Sequence, residues 1–198
     1  NASFDAFVKA KLDTSFDKNK VPGIFVAYSN SGSDVMHTLG YAQPDKELPF
    51  DLNTFFEIGS ITKTFTAYTL LSVLRDHKIS DTTNILSYLP KEVQGNKSLA
   101  AIRFIHLMNH TSGLPRLPAN MELLENDLQP YQEYDSKKLF EYLLTAQPKA
   151  PGNYEYSNLA AGLAGVLAEK ISGKTYAALL DQYIFLPFKM VDKNNSLE

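Results

Sequence analysis

Apolar and polar positions divide the chain into a short mixed front part and a long helical remainder. Residues 3–18 carry Phe4, Phe7, Val8, Leu12 and Phe16 on one stripe, with Lys and Asp on the other face, and this spacing predicts an amphipathic helix. Val21-Pro22-Gly23 ends it. Ile24 to Tyr28 has the character of a buried strand, Asn30-Ser31-Gly32-Ser33 is turn chemistry, and Val35 to Tyr41 reads as the returning strand. After a polar loop over 43–53, the period becomes helical. Ile61, Phe65, Tyr68 and Leu71 predict a helix from Ser60 to about Asp76, with those four side chains facing a core.

From Lys78 onward the pattern is helical and loop-rich. Ile102 to Asn109 predicts a short helix with Ile102, Ile105, Leu107 and Met108 inward, closed by His110-Thr111-Ser112-Gly113-Leu114-Pro115. Residues 116–135 are polar and irregular, as in a lid or rim loop. Ser136 is expected to cap a helix running to about Ala146. Leu159 to Ile171 predicts a helix rich in Ala and Gly, suited to close packing, and Thr175 to Ile184 a last one. Asp192 to Glu198 is a polar tail.

Composition narrows the function classes. The 198 residues are 44% apolar and 21% charged, which suits one large globular domain or two small ones. A net charge of −3 gives no basic footprint for nucleic acid. No apolar run has the length of a membrane span. No signal-peptide pattern opens the chain, as expected of a mature or a cytosolic protein. The absence of cysteine removes disulfides, thiolate metal sites and cysteine nucleophiles together. His37, His77, His106 and His110 form no H-E-x-x-H, so all four are expected to be structural or on the surface, and no metal site is expected.

The candidate chemistry begins at Ser60-Ile61-Thr62-Lys63, the pattern S-x-x-K. A serine hydroxyl needs a nearby base to act as a nucleophile at neutral pH. Residues three apart on a helix share a face, so Lys63 is expected beside the Ser60 hydroxyl. A helix N-terminus there can stabilise an oxyanion, and packing can lower a lysine's pKa by desolvation. A helix-capping serine followed by a solvated lysine has the same spelling. A second motif, Tyr156-Ser157-Asn158, directly precedes the Ala/Gly helix. A phenol beside an ammonium group can shuttle a proton, and an asparagine amide can bond both a lysine and a substrate carbonyl. A buried tyrosine ahead of a helix cap also fits this motif.

S-x-x-K at a helix start, H-T-S-G-L-P about fifty residues on, and Y-S-N before a small-residue helix form a specific series. With it the chain resembles the serine β-lactamase and penicillin-binding protein superfamily. It is most similar to the class C β-lactamase branch with its esterase, D-alanyl-D-alanine carboxypeptidase and D-aminopeptidase relatives. Tyr156 stands where the class A pattern S-D-N has its serine. The resemblance also covers Val21-Pro22-Gly23, Phe56-Glu57-Ile58-Gly59 and Ala150-Pro151-Gly152.

The resemblance implies an α+β fold of the β-lactamase/transpeptidase type, an α/β sandwich plus an all-helical domain. Residues 1–55 would supply the helix and hairpin of the sheet domain, and 56–198 the mostly helical domain with both motifs. It implies Ser60 as acylated nucleophile, Lys63 as its proton partner, Tyr156 as general base, and Asn158 as the group orienting Lys63 and the substrate amide. The substrate would be a small acyl donor: a β-lactam, an ester, or a D-amino-acid peptide or amide. No cofactor is implied. The compartment would be periplasmic or secreted.

One departure weighs on this reading. The family's third motif, K-T-G or H-x-G, lies on a strand that walls the cleft and supplies an oxyanion N–H, and this sequence has none. Gly173-Lys174-Thr175 has the wrong order. The chain is therefore expected to be the N-terminal part of a larger enzyme, with its sheet domain incomplete, and a poor catalyst alone. Its front helix stripe is expected either to associate with a partner or a second copy, or to stay loosely ordered before about residue 42. A non-catalytic binding or sensing protein on the same fold is the alternative.

Overall fold

A computed structural model of the chain describes residues 2–17, 19–30, 32–51, 53–122 and 129–190. It divides into two units, Asn1–Glu57 and Ile58–Glu198. The polar tail expected over Asp192 to Glu198 lies outside the described residues, as does the middle of the expected rim loop, 123–128.

The first unit holds helix α1 (Ala2–Ser15) and strands β1 (Gly23–Asn30) and β2 (Ser33–Gly40). The strands pair antiparallel, in register from Gly23↔Gly40 to Asn30↔Ser33. Asp5 ties the helix to the hairpin: its Oδ1 accepts from the Tyr28 hydroxyl at 2.8 Å and lies 2.7 Å from His37 Nε2. Phe4 meets the Tyr28 ring edge-on, with centroids 5.1 Å apart. Among the described residues of this unit none is buried. Two strands at ~4.8 Å spacing cannot cover a helix face, and Phe4 and Phe7 remain 48% and 57% exposed.

The second unit contains all the buried apolar side chains of the described residues. Helix α2 (Thr62–Asp76) follows a 3₁₀ turn over Gly59–Ile61, so Ser60 stands in the turn before the helix. Gly59 enters that turn at φ 52°, in the left-handed region where glycine is at ease. Helices α3 (Phe104–Met108), α4 (Ser136–Thr145), α5 (Asn158–Ser172) and α6 (Tyr176–Leu180) follow, and α6 runs into a π-helical turn over Asp181–Phe185.

The inward face of α2 is not the one its apolar spacing predicts. Ile61, Tyr68 and Leu71 are 60%, 46% and 42% exposed, and only Phe65 of that stripe is half-buried, against Phe185. The buried positions are Thr66, Thr69, Leu70, Ser72, Val73 and Leu74. The reason is the neighbour. α5 packs against α2, and its Ala160, Ala164 and Ala168 are buried with Leu163 and Leu167. A close helix pair favours small side chains on both sides, so threonine and serine fit where tyrosine does not.

Further differences are local. Phe104, absent from the expected inward set of α3, is fully buried and meets Tyr88 edge-on at 5.1 Å. α4 is capped by Asp135, whose side chain accepts from Lys138 N–H, so Ser136 is the first helical residue rather than the cap. Gly173 closes α5 at φ 71° and Thr175 caps α6, which gives Gly173-Lys174-Thr175 a purely local use.

Candidate active site

Ser60 and Lys63 sit one turn apart at the entry to α2, with Lys63 Nζ donating to Ser60 Oγ at 3.1 Å. Ser60 is exposed and Lys63 half-buried. Tyr156 reaches the same point from the loop ahead of α5. Its hydroxyl lies 2.7 Å from Ser60 Oγ, although 96 residues separate the two in the chain. Lys63 Nζ also lies 5.0 Å from the centre of the Tyr156 ring, and the Arg116 guanidinium 5.1 Å from it. The Lys63 ammonium, then the Ser60 hydroxyl, hold the Tyr156 phenol below its ordinary value, and the charge of Arg116 adds to this.

Six hydrogen bonds explain why the tyrosine loop arrives there. Lys149 N–H donates to Gly113 O, Gly152 N–H to Thr111 O, and Glu155 N–H to His110 O. Ser157 N–H donates to His110 Nδ1 at 3.2 Å, Ser157 Oγ to Pro115 O at 2.7 Å, and Asn158 N–H to Arg116 O at 3.0 Å. The segment 110–116 is thus the template on which 149–158 is laid. Gly113 is needed for it: φ is 74°, and a Cβ there would fall 2.1 Å from Lys149 O. Ser157 is fully buried and caps α5 through Ala160 N–H, which aims the tyrosine before it and the asparagine after it.

The structure brings three of the four expected residues into contact: Ser60, Lys63 and Tyr156. Asn158 is placed differently. Its Nδ2 donates to the Tyr131 hydroxyl at 2.9 Å, and among the described residues no hydrogen bond joins it to Lys63. Ser112 is fully buried and its Oγ accepts from Leu114 N–H. Among the described residues no group of three or more His, Asp or Glu side chains is arranged to hold a metal ion, and no helix is long and apolar enough to cross a membrane.

Three neighbours of the site are not expected there from the sequence, which presents His110 only as a structural residue. Arg116 faces the Tyr156 ring, Tyr131 holds Asn158, and His110 lies with its ring centre 4.5 Å from that of Tyr156. The joint presence of H-T-S-G-L-P and Y-S-N was a usable signal for His110, because two motifs that form one structure must touch. Arg116 and Tyr131 carry no such signal.

Comparison with known proteins finds β-lactamases among the relatives of this chain. A β-lactamase from Yersinia enterocolitica is 30% identical over 185 residues, 92% of this chain and 45% of that protein. A β-lactamase from Escherichia coli K12 is 32% identical over 178 residues, 88% of this chain and 44% of that one. The chain therefore spans less than half the length of these curated relatives. A solved class C β-lactamase, in complex with cefoxitin, superposes with a TM-score of 0.77 at 28% identity, covering 96% of this chain and 51% of that structure. The fold is that of the β-lactamases and transpeptidases, and this chain, helices with a two-stranded sheet among its described residues, covers about half of that solved chain. Residues 4–194 match the family model described as Beta-lactamase, and the chain belongs to that family.

Proposed function

We propose that the protein is a serine hydrolase that works through an acyl-enzyme on Ser60, with a β-lactam, a small ester or a D-amino-acid peptide or amide as substrate. The observation that carries this is the approach of Ser60 Oγ to two proton-handling groups at once, Tyr156 at 2.7 Å and Lys63 at 3.1 Å. With the Lys63 ammonium donating to Oγ, the hydroxyl's own proton is directed to the Tyr156 oxygen. Tyr156, in its phenolate form, takes that proton as Oγ bonds to the substrate carbonyl carbon. It then passes the proton to the leaving nitrogen or oxygen as the scissile bond breaks. Water attacks the resulting ester, loses a proton to Tyr156, and releases the acid while Ser60 recovers its hydrogen. Ser60 lies in the turn before α2, where the helix dipole favours a developing oxyanion. Asn158 contributes an amide to substrate binding.

Because the relatives are β-lactamases more than twice as long in coverage, full turnover belongs in this proposal to a protein with a complete cleft wall. The place of work is the periplasm or the medium, and fractionation of the source cells checks it. Lys63→Ala and Tyr156→Phe are expected to lower the acylation rate by about 10²–10⁴-fold while leaving initial binding nearly intact. Stopped-flow acylation against a chromogenic β-lactam or ester measures this. Wild-type acylation in Lys63→Ala removes the proposed base network.

A further inference from the structure

We infer that His110 is a positioning residue, whose ring backs the Tyr156 phenol and holds its hydroxyl at Ser60. This rests on the roles proposed above for Ser60 and Tyr156.

Four observations carry it. The two rings lie 4.5 Å apart at 32°, a packed face rather than a passing contact. His110 Nδ1 accepts from Ser157 N–H at 3.2 Å, and its carbonyl accepts from Glu155 N–H at 2.7 Å, so His110 grips the residue on each side of Tyr156. That bond leaves the proton of the neutral ring on Nε2. On its far neighbour side, Tyr154 meets the His110 ring edge-on, with centroids 5.9 Å apart at 82°. Finally, the backbone at His110 has φ 61°, a conformation that asparagine and histidine both tolerate better than most residues. The turn is therefore met by asparagine as well as by histidine, and by itself it does not require an imidazole.

The ring supplies what the turn does not need. A half-buried phenol still swings about two side-chain torsions, and fixing it costs conformational entropy that packing must offset. Displacements of about 1 Å at reacting groups can cost about 10²-fold in rate. The charged and titratable groups around His110 are Lys63 from α2, Tyr154 and Tyr156 from the following loop, and Arg116 across the Tyr156 ring. Burial first, and then the Lys63 charge, keep the imidazole below its ordinary value, so it stays neutral beside the ammonium.

The test follows Tyr156 itself and needs no turnover. Protein labelled with ¹³C-tyrosine is titrated by NMR, with Tyr156→Phe assigning the signal. His110→Asn keeps a short acceptor and suits the backbone, but removes the ring. His110→Phe keeps the ring and removes the acceptor. In the wild type Tyr156 ionises below the ordinary phenol value of about 10. His110→Asn is expected to raise that midpoint toward the ordinary phenol value, as the phenol leaves Lys63 and Ser60, and His110→Phe to leave it low. An unmoved midpoint in His110→Asn overturns the inference, and so does an equal rise in both variants. If His110→Asn does not fold, His110→Gln, which also keeps an acceptor and lacks the ring, takes its place: a raised midpoint supports the inference and an unmoved one overturns it. Failure of Ser60 to acylate would refute the proposed function and leave this titration standing. An unmoved midpoint beside normal Ser60 labelling would refute only the role of His110.

Discussion

Asn158 Nδ2 donates a 2.9 Å hydrogen bond to the hydroxyl of Tyr131, so the amide proposed to bind substrate already has a partner. A substrate that bonds Asn158 must first displace this contact. A net hydrogen bond contributes about 0.5–1.5 kcal/mol. Tyr131→Phe is therefore expected to lower KM by about twofold to tenfold. Steady-state kinetics of a form with a complete cleft measure it, and a raised KM shows that Tyr131 binds substrate instead of competing with it.

The second prediction concerns pH. The Lys63 ammonium, then the Ser60 hydroxyl, lower the Tyr156 phenol. A lowered pKa favours the deprotonated form, so the fraction of Tyr156 able to act as base rises with pH and saturates above the folded value. Acylation is expected to climb through that window and flatten before the ordinary phenol value of about 10. A rate still rising past that point contradicts the assignment, as does a limb that survives in Tyr156→Phe.

Gly113 links stability to the site. A side chain there meets a left-handed backbone and an overlap with Lys149 O. The backbone term alone is worth about 1–2 kcal/mol, so Gly113→Ala is expected to lose at least that much in urea unfolding and to slow acylation by shifting the Tyr156 loop. A loss below about 0.5 kcal/mol would show that the two segments can part freely.

The units should also respond differently to truncation. Phe104 is fully buried in the helical unit, whereas Phe7 is 57% exposed on α1. Phe104→Ala is expected to cost about 3–5 kcal/mol, and Phe7→Ala less than about 0.5 kcal/mol, both by urea unfolding followed by far-UV circular dichroism. Equal losses would mean that α1 is covered in solution.

How far the sequence can be read depends on the range of the interaction. The Ser60–Lys63 pair was legible because helical spacing alone sets it, and a 3₁₀ turn in place of a first helical turn kept the two side chains together. Tyr156 was legible only through the joint motifs, since nothing local predicts a partner 96 residues away. The inward face of α2 was not legible from apolarity, because the small residues of α5 decide which side chains can come close. Nor was the bond from Asn158 to Tyr131, which depends on how an irregular segment returns to the site. His110 was expected only to shape a turn. Its φ of 61° fits that use, while its ring contact with Tyr156 required the loop to be laid down first.

The account turns on Ser60 as the acylated residue, and covalent labelling tests that most directly. A form with the complete cleft is treated with a β-lactam or a fluorophosphonate, and intact mass is followed by peptide mapping. One adduct on Ser60, absent from Ser60→Ala, is the predicted result. Labelling that persists in Ser60→Ala, or that maps to the buried Ser112, would contradict it.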